Sequence, residues 1–113
     1  MSYTAGPVRW DHDLIIGDTY FPAVAALATD DVALDITGAT GVAELRAEPG
    51  GAVVASPTVA LIDGAAGTFK WALPAATTAI IPARSYLYFV RLTFADGSIR
   101  TVLEGRVNAR RVT

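Results

Sequence analysis

The chain contains no cysteine, which removes disulfide staples and thiolate metal sites and leaves stability to packing alone. It has one histidine, His12, so any Ser-His-Asp or Cys-His arrangement would depend on that residue. None of the four serines, Ser2, Ser56, Ser85 and Ser98, sits in a Gly-x-Ser-x-Gly nucleophile turn. No glycine-rich phosphate cradle follows a strand and opens a helix. The longest uncharged window, Pro49 to Ile62, has 14 residues and is interrupted by proline and glycine, short of the roughly 18 a membrane span needs. The opening MSYTAGPVRWDHD lacks a basic stretch followed by an apolar one, so neither a secretory leader nor a membrane partner is expected. A net charge of −2 gives no general attraction for nucleic acid.

What is present is apolar bulk with a period close to two, broken by turn residues about every ten positions. This pattern predicts an all-β chain, an immunoglobulin-like antiparallel β-sandwich of about seven to nine short strands. The 113 residues fit a single domain, 1–113, with 1–7 as a flexible N-terminal arm. Charge is unevenly spread: residues 1–63 carry nine acids and two bases, residues 64–113 two acids and seven bases. Pairing between the two halves within the fold is expected, with complementary patches on neighbouring subunits as the alternative.

The clearest strand is Ser85 to Phe94, with Tyr86, Tyr88, Val90, Leu92 and Phe94 on one face and Leu87, Phe89, Arg91 and Thr93 on the other. Both faces are largely apolar, which suits a central strand. Asp96-Gly97 predicts a two-residue type I′ turn into Ile99–Glu104, and Gly105 a bulge or bend before a last strand, RVNARRV. Upstream, Ala43 and Leu45 share one face of GVAELRA, and Phe69, Trp71 and Leu73 one face of an amphipathic strand. Residues 74–83 are bounded by prolines, can hold a short helical turn or an extended crossover, and read best as a loop with Ile80 or Ile81 plugging the core. VRWDHDLII reads as the first strand and TYFPAVAAL as the next, joined at the corner Gly17-Asp18-Thr19. There Gly17 turns the backbone, the Asp18 carboxylate caps freed amides, and Asp18→Ala should cost about 1 kcal/mol.

Candidates for chemistry are few. In Asp11-His12-Asp13 a strand puts the two carboxylates on one face and the imidazole on the other, so the three cannot close on one metal ion. Asp30-Asp31 reads as a turn rather than a glycosidase pair. Tyr3, Trp10 and Tyr20 are candidate exposed anchors for a partner or a carbohydrate, while Phe69, Trp71, Phe89 and Phe94 are assigned to the core. Arg106, Arg110 and Arg111 form a short basic end suited to a subunit contact. No catalytic, cofactor-binding or metal residue is assigned, and an enzyme is not expected.

Taken in order, LIIGDTYFPAVAAL, VALDITGAT, VAELRAEPGG, DGAAGTFKWAL and ARSYLYFVRLTFADGSIRTVLEGRVNARRVT resemble a recurring module of tailed-phage structural proteins. The module is the N-terminal domain of phage baseplate upper proteins and related tail or fibre-attachment proteins. Its landmarks correspond here to Gly17-Asp18-Thr19, Ile36-Thr37-Gly38, Tyr86 and Tyr88 with Asp96-Gly97, and Thr101 to Gly105. The resemblance implies a non-enzymatic virion protein of the tail, baseplate or fibre-attachment region, made in the host cytoplasm. It would act in several symmetric copies, with other virion proteins as partners. With no stalk after residue 113, a small subunit or adaptor is expected rather than a receptor binder. A capsid-decorating protein and a carbohydrate- or surface-binding immunoglobulin-like module are the alternatives. Trp10, Tyr20, Arg106, Arg110 and Arg111 are the candidate interface.

Overall fold

Alternation decides the central element. In the computed structural model, which describes residues 8–22, 24–26, 28–29 and 32–112, every second residue from Tyr86 to Leu92 is buried. The chain runs through β1 (Val8–Arg9), β2 (His12–Ile15), β3 (Val24–Ala26), β4 (Ala28–Thr29), β5 (Val32–Ala33), β6 (Thr40–Arg46), β7 (Val53–Ala55), β8 (Thr58–Asp63) and β9 (Thr68–Ala72). A single helical turn, α1 (Ala75–Thr78), precedes β10 (Arg84–Thr93) and β11 (Ile99–Arg110). The expected arm at 1–7 and the turn at Asp30-Asp31 lie outside the described residues, as does Tyr3.

Two sheets form an all-β, immunoglobulin-like sandwich. The larger has the order β1-β11-β10-β6-β7, with β2 following β1 along the same edge of β11; the smaller is β3-β9-β8, and β4 pairs with β5. As expected, β10 is central, hydrogen-bonded to β11 on one side and β6 on the other. The inner face of the large sheet carries Tyr86, Tyr88, Val90 and Leu92 of β10, Val107 and Ala109 of β11, Ala43 and Leu45 of β6, and Leu14 of β2. Phe69 and Trp71 of β9, with Leu73 just beyond it, are buried in the same core. Each such large side chain contributes roughly 1.5–3 kcal/mol through burial.

Four local expectations are corrected. First, β1 and β2 run parallel to β11 rather than antiparallel. Second, β11 continues through Gly105 instead of ending there. Its glycine serves a close approach: a Cβ would run into the Trp10 carbonyl between β1 and β2. The register shift of β11 lies upstream, opposite Val90 and Arg91, and lets Val102 and Leu103 both point inward. Third, the β10–β11 connection is a three-residue loop. The Phe94 carbonyl accepts from the Gly97 amide at 2.9 Å, the Phe94 amide donates to Ser98 at 2.8 Å, and only the Gly97 position supplies the extra turn, a type I plus bulge geometry in place of type I′. Fourth, Phe89 lies half-buried on the outer face of β10, because the alternation that buries Tyr88 and Val90 turns it outward. In the segment between the prolines, Ile81 is the plug, 3% exposed, while Ile80 is 81% exposed.

Candidate functional site

The corner after β2 is closed by a residue 61 positions further along the chain. Gly17 turns with φ +96°, a conformation that side chains with a Cβ rarely adopt. The buried Thr78 hydroxyl of α1 accepts from the Gly17 amide at 3.2 Å and donates to the Asp18 carbonyl at 2.7 Å. The Asp18 amide donates to the Ile15 carbonyl at 3.1 Å. Among the described residues the Asp18 carboxylate accepts no hydrogen bond, so the expected carboxylate cap is replaced by the Thr78 hydroxyl. Thr19 is exposed and lies between this clamp and the bridge formed by Tyr20 with Leu73. Carboxylate caps do occur at other corners: Asp35 accepts from the Thr37 amide at 2.9 Å, Asp96 from the Ser98 amide at 2.9 Å, and Asp63 from the Ala66 amide at 3.3 Å. Hydrogen bonds from the Thr37 and Ser98 hydroxyls, followed by those from their amides, hold the Asp35 and Asp96 carboxyls below their ordinary range.

Tyr20 is not an exposed anchor. It is 3% exposed, its backbone exchanges two 2.9 Å hydrogen bonds with Leu73, and alternation turns Phe21 outward instead. Its hydroxyl accepts from Trp71 Nε1 at 3.2 Å and lies 2.6 Å from His12 Nε2. Because the indole N–H can only donate, the Tyr20 hydroxyl keeps its proton for His12 Nε2. The neutral imidazole then carries its hydrogen on Nδ1, a buried atom with no hydrogen-bond partner among the described residues. Trp10 covers the imidazole with ring centroids 4.4 Å apart, and Tyr88 meets it edge-on at 4.9 Å while donating its hydroxyl to the Trp10 carbonyl at 2.6 Å. Burial lowers the His12 pKa below its ordinary 6.5, against the opposing pull of Asp11 and Asp13. Burial raises those of Tyr20 and Tyr88 far above the phenol range. The cluster fastens the first strand to both sheets, and Trp10, at 36% exposure, is its partly open lid.

The flanking carboxylates face the other way. Asp11 Oδ1 accepts from the Arg106 amide at 2.8 Å, which is the main cause of its lowered pKa. Asp13 pairs with Arg110 Nε at 3.1 Å across β2 and β11. Among the described residues no group of three His, Cys, Asp or Glu side chains could hold a metal ion. Of the basic end, the Arg106 and Arg110 side chains stand exposed on β11 and Arg111 follows just past it. The structure therefore places Trp10 partly at the surface and the three arginines on the exposed side, Arg110 in its half-exposed pair with Asp13, and withdraws Tyr20 into the core.

Sequence reasoning missed a concave surface on the large sheet. On the outer face of the large sheet an open trough of about 740 Å³ runs over β10, with Leu87, Phe89, Val42 and Ile99 among its apolar lining. Phe89 faces Glu104 on one side and Glu44 on the other; Arg91 faces Thr101 and Val42. The Arg91 guanidinium lies 4.9 Å from the Phe89 ring centroid, and Arg46 Nη2 binds Glu44 at 2.6 Å. The available signal is the apolar second face of Ser85–Phe94, which marks a central strand and an outward-facing apolar surface alike.

No family model matches the chain, and no curated protein matches it. Among solved structures, the crystal structure of CopC from Methylosinus trichosporium OB3b aligns with a TM-score of 0.41 and 12% identity, covering 85% of this chain and 99% of that one. A likeness this distant assigns neither a ligand nor an activity to the present chain.

Proposed function

We propose that this chain is a non-enzymatic structural protein of a tailed-phage particle, an assembly adaptor of the tail, baseplate or fibre-attachment region present in several copies. The observation that carries the reading is the division of labour in the large sheet. The polar groups that suggested chemistry, Asp11, His12, Asp13, Tyr20 and Ser98, are engaged in bonds that hold strands and turns. The partly apolar trough on the opposite face remains open. A rigid body with an unfilled sheet face is suited to docking on protein neighbours.

The phage setting comes from the order of the landmarks, and their structural roles are compatible with it. Gly17-Asp18-Thr19, Ile36-Thr37-Gly38 and Asp96-Gly97 are corners that set strand direction, while Thr101 to Gly105 lies in β11 against β10 and β1. Burial of Tyr20 weighs against the carbohydrate-binding alternative, leaving Trp10 as its one partly exposed anchor among the described residues. Mass spectrometry of purified particles, with heads and tails separated, tests the proposal. The chain is expected in the tail fraction; the head fraction would favour the decorating role, and absence from both would overturn the virion reading.

A further inference from the structure

We infer that the outer face of the large sheet, centred on Leu87, Phe89 and Arg91, docks against the same face of a second copy of this chain. The inference deepens the assembly reading and rests on it for its biological setting, though not for its physics. The solvent face of an antiparallel sheet ordinarily alternates to polar residues. Here the middle strand breaks that rule: Leu87 and Phe89 are half-buried on the outer face of β10 between charged neighbours, and Val42, 54% exposed on β6, lies diagonal to Phe89 and opposite Arg91. Leaving such a strip in water forgoes the hydrophobic gain of whatever area a partner would cover.

The charges around the strip choose the partner. The trough lining includes three arginines, Arg9, Arg46 and Arg91, and three glutamates, Glu44, Glu48 and Glu104. A nucleic acid would call for an excess of cations, and an acidic or basic protein for an excess of one sign. An equal, interleaved set instead complements a surface that carries the same set, as a twofold-related copy does by construction. Among the described residues Arg91, Glu48 and Glu104 have no ion-pair partner within their own chain, so they are available across such an interface.

Size sets the strength. Five strands at about 4.8 Å spacing, over the seven positions shared by β6 and β10, give a face of about 24 by 23 Å in projection. That footprint, roughly 550 Å², is below the roughly 800 Å² per partner of a standard stable interface. A concentration-dependent dimer in the micromolar range or weaker follows, strengthened when copies are held together in an assembly.

Sedimentation of the full chain across low-micromolar to millimolar concentration, at low and high salt, tests this. A reversible dimer that weakens with salt is expected. Val42→Asp and Arg91→Glu should each raise its Kd by about tenfold or more, with circular-dichroism melts checking that both surface variants fold. If Val42→Asp does not fold, Arg91→Glu decides alone. A chain that stays monomeric throughout, or a dimer indifferent to Arg91→Glu, overturns the inference. A monomer that is nevertheless found in particles leaves the assembly reading intact; a dimer absent from particles does the reverse.

Discussion

The two faces of the large sheet are made from the same strands and differ in what they hold. On the inner face, Tyr86, Tyr88, Val90 and Leu92 are shut away against Phe69 and Trp71, and the polar atoms of the tyrosines reach partners: Tyr86 donates to the Pro82 carbonyl and Tyr88 to that of Trp10, both at 2.6 Å. On the outer face, Leu87 and Phe89 stand between charges in an open trough. The comparison teaches that apolar character alone does not mark the core. A face packed by its own chain should answer substitution in stability, and a face awaiting a partner should answer in association.

The largest expected break in this comparison is Trp71→Ala, which empties a buried site and removes the donor to Tyr20. It should cost about 3–5 kcal/mol in urea unfolding, whereas Phe89→Ala on the outer face should cost about 1 kcal/mol or less. Equal losses would mean that the outer face is part of the core. Next is Thr78→Val, which keeps shape but strips the clamp from the Gly17 amide and Asp18 carbonyl, at about 1–3 kcal/mol. Asp18→Ala at the same corner should stay within about 0.5 kcal/mol, revising the cost expected from sequence.

A pH titration of stability sharpens the inner face further. His12 has a lowered pKa when folded, so between that value and 6.5 the unfolded chain binds more protons. Its contribution is therefore whole above pH 6.5 and is lost as pH falls through the folded value. Protonated Nε2 would also meet the Tyr20 oxygen as a donor and displace the Tyr20 proton from its acceptor. His12→Gln should flatten this step while leaving the separate loss below about pH 4 that comes from Asp11, Asp35 and Asp96, whose carboxyl pKa values are lowered. Asp13→Asn opens only the half-exposed pair with Arg110, a surface effect of at most about 1 kcal/mol that salt reduces.

Much of the sandwich was legible because period-two alternation is local. Tyr86 to Leu92, Phe69 to Leu73, and Ala43 with Leu45 could be assigned to the core from their own neighbours. The errors arose where the deciding partner is remote in sequence. Tyr20 is drawn inward by Trp71, 51 residues away, and the Gly17 corner is closed by Thr78, 61 residues away. Nothing near Asp18 signals that the Thr78 hydroxyl closes its turn while carboxylates cap those of Asp35 and Asp96. Gly105 was recognised as special, but the parallel approach of Trp10 that requires it depends on pairing between the two ends of the chain. The outer-face trough was legible only as apolar residues on both sides of one strand.

The central claim, that the outer face of the large sheet is where this protein acts, is tested most directly by following backbone amide NMR shifts as the chain is concentrated. Shifts confined to the amides of Val42, Glu44, Leu87, Phe89 and Arg91, fading in Arg91→Glu, are the expected result. Shifts that appear instead at the β8 edge or around Trp10, or none at any concentration, would contradict it.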